Sequence, residues 1–202
     1  MREMGASTRL SADGRTQRSE RSRTAIVSAM LDLIGEGALA PTAQQVAERA
    51  NVGVRTVFRH FSDMDTLFAT MNEQLTARVE PLFVEDVQTG PLAARVDAFV
   101  DRRLEIFGTI APYLRSSVTQ RWRSEFLRKE HERTIRVLRQ DLRRWLPELE
   151  DRPPEVADAL ELILSFEGLL RLRFDQRLGP RRIAAVLRRS IPALLRSDPA
   201  NG

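Results

Sequence analysis

Arginine side chains recur on one face of a short helical segment, a pattern that suits binding to phosphates or to base edges. Arg55 and Arg59 are four residues apart, and His60 follows directly. In an α-helix this spacing places both guanidinium groups on one side, while Val57 and Phe61 form an apolar side. Such a helix fits the major groove of DNA, where a good bidentate base contact discriminates by about 1–3 kcal/mol. The alternative is a solvated helix face without a partner.

Other kinds of site chemistry have little support in the composition. The chain of 202 residues has no cysteine and only two histidines, His60 and His131. These counts exclude thiolate catalysis and cysteine-ligated zinc and disfavour a histidine-rich metal site. We find no nucleophile–base pair and no phosphate-binding glycine loop. The sequence therefore predicts a protein that is not an enzyme and that needs no metal or cofactor.

The arginine-bearing helix is expected to be the second of two short helices joined by a tight turn. Thr42 stands where an N-cap belongs, with Gln45 three residues on as a possible capping box. Asn51 can adopt the left-handed conformation that a sharp turn needs. Val52 is expected to lie between the two helices. The apolar face of the first helix is formed by Val46, Ala47 and Ala50.

The stretch from Thr42 to Leu67, TAQQVAERANVGVRTVFRHFSDMDTL, resembles the DNA-binding domain of the TetR family of bacterial transcriptional regulators. Apolar, turn and polar positions agree with the family in register. Four residues depart from the family pattern at the turn, at the start of the recognition helix, at a phosphate-binding tyrosine and at a lysine in the next helix. They are Asn51, Gly53, Phe58 and Met64.

The resemblance implies which side chains contact DNA. Arg55 and Arg59 are the first candidates, and His60 is expected to contact a phosphate. Thr42 has two possible roles, as a helix cap or as a phosphate contact, and both can hold. The remaining candidates are Gln44, Val54, Thr56 and Phe58.

The resemblance also implies a domain organisation. We expect a disordered N-terminal arm at residues 1–18, a helix-turn-helix domain at 19–70 and a helical ligand-binding and dimerisation domain at 71–202. Arg2, Arg9, Arg15 and Arg18 could let the arm reach DNA, although an unstructured tail without that role is the alternative. The last two helices, at about 155–195, are expected to pair with the same helices of a second copy.

Apolar periodicity predicts an all-α fold of about nine helices, with no alternating run that would indicate a strand. Helix 1 is expected at about Ser19 to Gly35, and a fourth helix from about Asp63 to Arg78, ended or kinked by Pro81. The next helix is expected to break at Pro112. Further helices are expected from about Ser117 to Leu146, from Glu155 to about Leu178 and from Arg181 to Leu195.

The family usually holds a small-molecule pocket in its C-terminal domain, and this chain has aromatic and charged residues at helical spacing there. Plain core packing is the alternative for each of them. If the arginines point inward, an aromatic or amphipathic anion is the expected ligand. Glu167, if buried, is expected to pair with Arg171 or to contact the ligand. The candidate pocket residues are Phe99, Arg103, Phe107, Tyr113, Trp122, Phe126 and Glu167.

The function that these observations predict is a homodimeric, ligand-responsive regulator, most often a repressor in this family, on a near-palindromic operator. A DNA-binding orphan or architectural factor without an effector is the alternative. No apolar run approaches the ~20 residues of a membrane span, so we expect a cytoplasmic protein. The formal net charge of +4 adds no independent support for DNA binding, because the first 67 residues hold almost as many acidic as basic side chains.

Overall fold

The computed structural model describes the backbone of residues 4–84 and 89–196 and the side chains of residues 16–83 and 89–196. The described residues form nine α-helices and no strand, so the all-α prediction is confirmed. None of these helices is long and apolar enough to cross a membrane. The helices are α1 (Met4–Gly35), α2 (Ala43–Arg49), α3 (Val54–His60), α4 (Met64–Val84), α5 (Leu92–Gln120), α6 (Glu125–Trp145), α7 (Pro154–Leu164), α8 (Phe166–Leu170) and α9 (Pro180–Arg196).

Helix α1 begins at Met4, well before the predicted start at Ser19. The prediction of a disordered arm is therefore wrong for residues 4–18, while residues 1–3 lie outside the described residues. Residues 16–20 are all exposed. Residues 16–20 therefore bury no apolar side chain, and the sequence before Ser19 has no apolar periodicity that would indicate a helix. The helix ends where Gly37 takes a φ of 106°, which a residue with a side chain rarely adopts.

Helices α1 to α4 enclose an N-terminal hydrophobic cluster. Ile26, Met30 and Ile34 recur at helical spacing, are at most 1% exposed and form the buried stripe of α1. Val46 of α2, Val57 of α3 and Leu67 of α4 pack into the same cluster. The fixed packing of these four helices holds α3 in place.

Helix α4 belongs to both halves of the molecule. Its first turns, with Leu67, Met71 and Leu75, pack in the N-terminal cluster, whereas Val79 packs in the C-terminal one. Of the two predicted effects of Pro81, an end of the helix is wrong, because α4 continues through Pro81 to Val84, and a kink stays a prediction.

The reason for this continuation lies in contacts with α5. The Leu82 carbonyl accepts a hydrogen bond of 3.0 Å from Arg102, and Phe83 lies under the same guanidinium. A proline within a helix costs about 3 kcal/mol. These contacts, together with apolar burial, help to offset that cost.

Helices α5 and α6 differ from their predicted bounds in two ways. Pro112 does not break α5, which continues to Gln120. The predicted helix from Ser117 to Leu146 is in fact divided by a turn, and α6 begins at Glu125. Ser124 caps α6 by accepting a hydrogen bond of 3.0 Å from the Leu127 N–H.

The predicted helix from Glu155 to Leu178 is also divided. Ser165 takes an extended conformation (ψ 157°) between α7 and α8, and its hydroxyl accepts a hydrogen bond of 2.9 Å from the Gly168 N–H. Helix α8 leads into a short π-helical segment, Arg171–Asp175. Helix α9 packs on α5 and α7, and its buried residues Ile183, Leu187 and Ile191 complete the C-terminal hydrophobic cluster.

Candidate DNA-binding surface

The turn between α2 and α3 has the geometry that its sequence predicts. Asn51 has a φ of 53°, in the left-handed region that asparagine tolerates better than most residues. The Val52 N–H donates a hydrogen bond of 3.0 Å to the Ala47 carbonyl, and the Val52 side chain packs half-buried against the N-terminal cluster. Gly53 precedes α3 without a side-chain cap. Burial and backbone bonding therefore fix the angle between the two helices.

The inner face of α3 is firmly anchored. Val57 and Phe61 are each 1% exposed, as the spacing predicts. The guanidinium of Arg23 in α1 lies 5.1 Å from the centroid of the Phe61 ring. The same guanidinium donates a hydrogen bond of 3.1 Å to Thr70 in α4. Arg23 thus connects α1, α4 and the end of α3.

The outer face of α3 carries Arg55, Phe58 and Arg59, which we call the recognition face. All three are exposed, and Phe58 keeps 48% of its surface accessible, a large fraction for a phenyl ring. Within the described part of the chain, neither guanidinium of this face forms an ion pair. Both can therefore bind a phosphate or a base edge without first breaking an internal contact.

The side chain of His60 is less exposed than the predicted contact with a phosphate requires. The side chain is half-buried, and its Nε2 is buried without a hydrogen-bond partner among the described residues. Burial, followed by the charges of Arg59 and Arg23, lowers the pKa of His60 below its ordinary value of 6.5. The imidazole is therefore neutral at pH 7. In this conformation Nε2 cannot contact a phosphate.

The N-terminus of α2 forms the capping box that the sequence predicts. The Thr42 hydroxyl accepts from the Gln45 N–H at 3.2 Å, and the Thr42 N–H donates to Gln45 Oε1 at 2.9 Å. Gln44 is exposed and donates to Glu48 at 2.8 Å within the same helix. A contact between Gln44 and DNA would therefore replace an existing hydrogen bond.

The other two candidate contacts are partly covered. Val54 is half-buried and packs against the N-terminal cluster, and Thr56 is half-buried on α3. The contacts that the sequence predicts with DNA thus fall into an exposed group on the recognition face and a group that is less accessible.

An ion pair before α3 and a carboxylate helix cap after it brace the domain. Arg49 at the end of α2 donates to both carboxylate oxygens of Glu36, at 2.7 and 2.6 Å. These hydrogen bonds lower the pKa of Glu36. Asp63 caps α4 by accepting the Thr66 N–H at 2.7 Å, and the bonds from Thr66 lower the pKa of Asp63. Both carboxylates are therefore ionised at neutral pH.

A second candidate site is a partly open cavity of about 300 Å³ between α4, α5, α6 and the start of α8, which we call the α4–α6 cavity. Its walls are mostly apolar, and α4 contributes a share of them that the sequence did not predict. Apolar residues at helical spacing indicate that one side of α4 is buried, but they do not show that this side faces a cavity. The apolar α4 residues of the lining are Phe68, Met71, Leu75, Val79 and Phe83.

The predicted pocket residues are only partly brought together. Tyr113 and Glu167 line the α4–α6 cavity. Phe99 and Phe107 are instead buried in the C-terminal cluster, and Phe126 packs half-buried against the N-terminal cluster. These three therefore follow the alternative of plain packing.

Trp122 and Glu167 are also placed differently from the prediction. Trp122 is 69% exposed at the turn between α5 and α6, with the Arg123 guanidinium 4.1 Å from its ring centroid. Glu167 is exposed rather than buried. Its ion pair is with Arg121, at 3.4 Å, and not with the predicted Arg171.

Arg103 does not point into the cavity either. It is 1% exposed and shares the Asp141 carboxylate with Arg102, whose guanidinium bonds directly to Asp141, while Arg103 lies 3.4 Å from it. Burial lowers the pKa of Arg103 to about 10, against the opposing effect of Asp141. Arg103 is still charged at neutral pH. This cluster supports the fold, and no described group of His, Asp and Glu side chains is arranged to hold a metal ion.

Comparison with known proteins agrees with this geometry. Residues 26–71 match the family model of bacterial regulatory proteins of the tetR family. A transcriptional regulator from Rhodococcus sp. Rha1 is 22% identical, with 88% of this chain and 95% of that chain covered and a TM-score of 0.65. A protein from Mesorhizobium loti MAFF303099 assigned to the TetR family of transcriptional regulators is 17% identical, with coverages of 88% and 96% and a TM-score of 0.60. No curated protein matches the sequence.

The fold and the matched domain define the class of protein. An exposed arginine-bearing helix, held by a left-handed turn on a three-helix core, is a helix-turn-helix DNA-binding unit. The chain carries the DNA-binding domain of the TetR family on the fold of TetR-type transcriptional regulators. The family resemblance read from Thr42 to Leu67 is thus confirmed.

Proposed function

We propose that the protein is a ligand-responsive transcriptional regulator that binds a near-palindromic operator as a homodimer and is released from it by a small molecule. In this proposal it acts as a repressor. The observation that carries the DNA-binding part is the recognition face, where Arg55 and Arg59 are exposed on a helix whose opposite side is buried. Thr42 and the backbone N–H groups of α2 supply a second phosphate contact.

In this proposal the helix-turn-helix domain ends near residue 70, where the sequence predicts its end. The α4 helix then joins this domain to the rest of the molecule, because it packs in both hydrophobic clusters. A ligand in the α4–α6 cavity contacts α4 from Phe68 to Phe83. A shift of α4 changes the distance between the two recognition faces of a dimer. The contacts with DNA at both half-sites then weaken together.

The alternative, a DNA-binding factor without an effector, would be favoured by a filled C-terminal domain. The cavity of about 300 Å³ instead favours a ligand. Its size is at the lower end of small-molecule sites. For that reason a compound of modest size is the expected effector.

The dimer is proposed to form through residues 155–195. Leu162 on α7 is 70% exposed, and Phe174 after α8 is 40% exposed. An apolar side chain as exposed as that of Leu162 supports a surface that a second copy covers.

Binding-site selection from random double-stranded DNA tests the proposal. We expect enriched sequences with two inverted half-sites, because a symmetric dimer presents α3 twice. Enrichment of single half-sites would contradict the dimeric mode, and no enrichment over the starting pool would contradict sequence-specific binding.

A further inference from the structure

The charged side chains that line the α4–α6 cavity carry more negative than positive charge. Its guanidinium groups are those of Arg121 and Arg133, and its carboxylates are those of Glu80, Glu130 and Glu167. The lining therefore has one more carboxylate than guanidinium group.

Both arginines already have a carboxylate partner. Arg121 Nη1 lies 3.4 Å from Glu167 Oε1, and Arg133 Nη1 lies 3.7 Å from Glu130 Oε2. An anionic head group would have to displace a carboxylate to reach either guanidinium, and it would then lie beside that carboxylate. Glu80 has no ion pair within the described part of the chain.

His131 adds no positive charge to the cavity at neutral pH. Its Nε2 lies 3.9 Å from Glu167 Oε1. Burial, with a contribution from the charge of Arg121, lowers the pKa of His131 below 6.5, while Glu167 and Glu132 act in the opposite direction. The imidazole is therefore available as a neutral hydrogen-bonding group.

The rest of the wall is apolar and rich in aromatic rings. Phe68, Phe83, Tyr113 and Phe166 line the cavity from three sides, on α4, α5 and α8. Aromatic faces attract cations that have been partly desolvated, and apolar walls bind the body of an amphipathic ligand.

We propose that the α4–α6 cavity binds an amphipathic organic cation with an aromatic or aliphatic body and one ammonium-type nitrogen. The nitrogen lies near Glu167, the body lies among the aromatic rings, and Glu80 adds to the negative charge of the lining. This ligand class is the opposite of the anion expected on the condition that the arginines point inward. The reason is that Arg103 is buried with Asp141 and does not line the cavity. The proposal specifies the ligand of the proposed regulator and rests on that function for its role.

Three probes with similar bodies test the charge preference. They are (4-phenylbutyl)trimethylammonium, 5-phenylpentanoate and the neutral 5-phenylpentan-1-ol, titrated into the full-length protein at pH 7 by calorimetry. We expect the ammonium probe to bind about tenfold more tightly than the carboxylate, as expected for a charge a few ångströms from an unbalanced carboxylate. Tighter binding of the carboxylate, equal binding of the alcohol and the ammonium, or no binding of any probe would overturn the proposal.

The Glu167→Gln variant sharpens the test. It removes one carboxylate and frees the Arg121 guanidinium, so the preference is expected to shift towards 5-phenylpentanoate. Glu167 is exposed, so the exchange should leave the fold intact. Glu105→Gln on α5 is the matched control, because Glu105 is exposed and does not line the cavity. An unchanged preference in Glu167→Gln would overturn the assignment of the cation to this position.

A separate readout distinguishes this proposal from the proposed function. The ammonium probe is added to the protein bound to its selected DNA. Release of the DNA supports both proposals. Binding of the probe without release supports the ligand class and contradicts the ligand-responsive function. Release by the carboxylate alone overturns the ligand class and leaves the function standing.

Discussion

At the residue scale, Asp141 compensates more buried charge than any other carboxylate described above. It is 4% exposed and faces two guanidinium groups, of Arg102 at 5% and Arg103 at 1% exposure. The rings of Phe99 and Trp145 lie against Arg102 and supply further cation–π attraction. Two cations around one anion can remain buried only while that anion is present.

The Asp141→Asn variant is expected to lose about 3–5 kcal/mol of unfolding free energy, because it leaves two buried guanidinium groups without a compensating charge. Urea denaturation followed by circular dichroism measures this loss. Asp151→Asn, at an exposed position after α6, is the matched control and is expected to change stability by less than about 0.5 kcal/mol. Equal stability of the two variants would show that Asp141 is dispensable.

At the scale of elements, the break between α7 and α8 shows why apolar periodicity predicts the ends of some helices and not of others. Ser165 and Gly168 form a cap inside a stretch that reads as one continuous apolar helix. A methyl group on Gly168 would lie 2.7 Å from the Leu162 carbonyl oxygen, closer than real contacts allow. The close approach of these two turns thus requires a glycine.

The Gly168→Ala variant is expected to destabilise the protein by about 1–3 kcal/mol through this clash. Gly108→Ala, within α5, is the control, because a Cβ there meets nothing within 4 Å. Alanine suits a helix interior better than glycine, so this control is expected to gain about 0.5–1 kcal/mol. The two melting temperatures should therefore move in opposite directions, and a shift of both in the same direction would contradict the proposed origin of the break.

Particular residues show how far prediction from sequence extends. The inward faces of α1 and α3 and the left-handed Asn51 follow from periodicity and backbone preference, which act over a few neighbouring positions. The continuation of α4 past Pro81 does not, because it depends on Arg102, which is distant in sequence and bonds to Leu82. The same limit applies to the pocket. Spacing made Arg103 a candidate pocket residue but could not show that its guanidinium pairs with Asp141 instead of lining the cavity.

At the scale of the whole molecule, the exposed side chain of Leu162 on α7 is a feature that a second copy would explain. Leu162 is 70% exposed in the structure of one chain. In the proposed dimer, the same residue of a second copy, or its neighbours, would cover it. The proposed dimer would also set the spacing of the two recognition faces.

The Leu162→Arg variant is expected to shift the protein from dimer to monomer, because a charge would be buried without a partner in the interface. Size-exclusion chromatography with light scattering reads the mass directly. Ile135→Arg on α6 is a matched control, since Ile135 is also a large exposed aliphatic residue, at 44%, but lies outside residues 155–195. A Leu162→Arg variant that remains dimeric would place the interface elsewhere.

The most direct test of the account is the affinity of the Arg59→Ala variant for the DNA recovered by selection, measured by fluorescence anisotropy at fixed salt. Arg78→Ala, an exposed arginine on α4 outside the helix-turn-helix, is the matched control. We expect Arg59→Ala to lose about 1–3 kcal/mol of binding free energy while it keeps the oligomeric state of the parent protein. The control should bind as the parent does. Equal affinity of the parent and Arg59→Ala would contradict the assignment of α3 as the element that binds DNA.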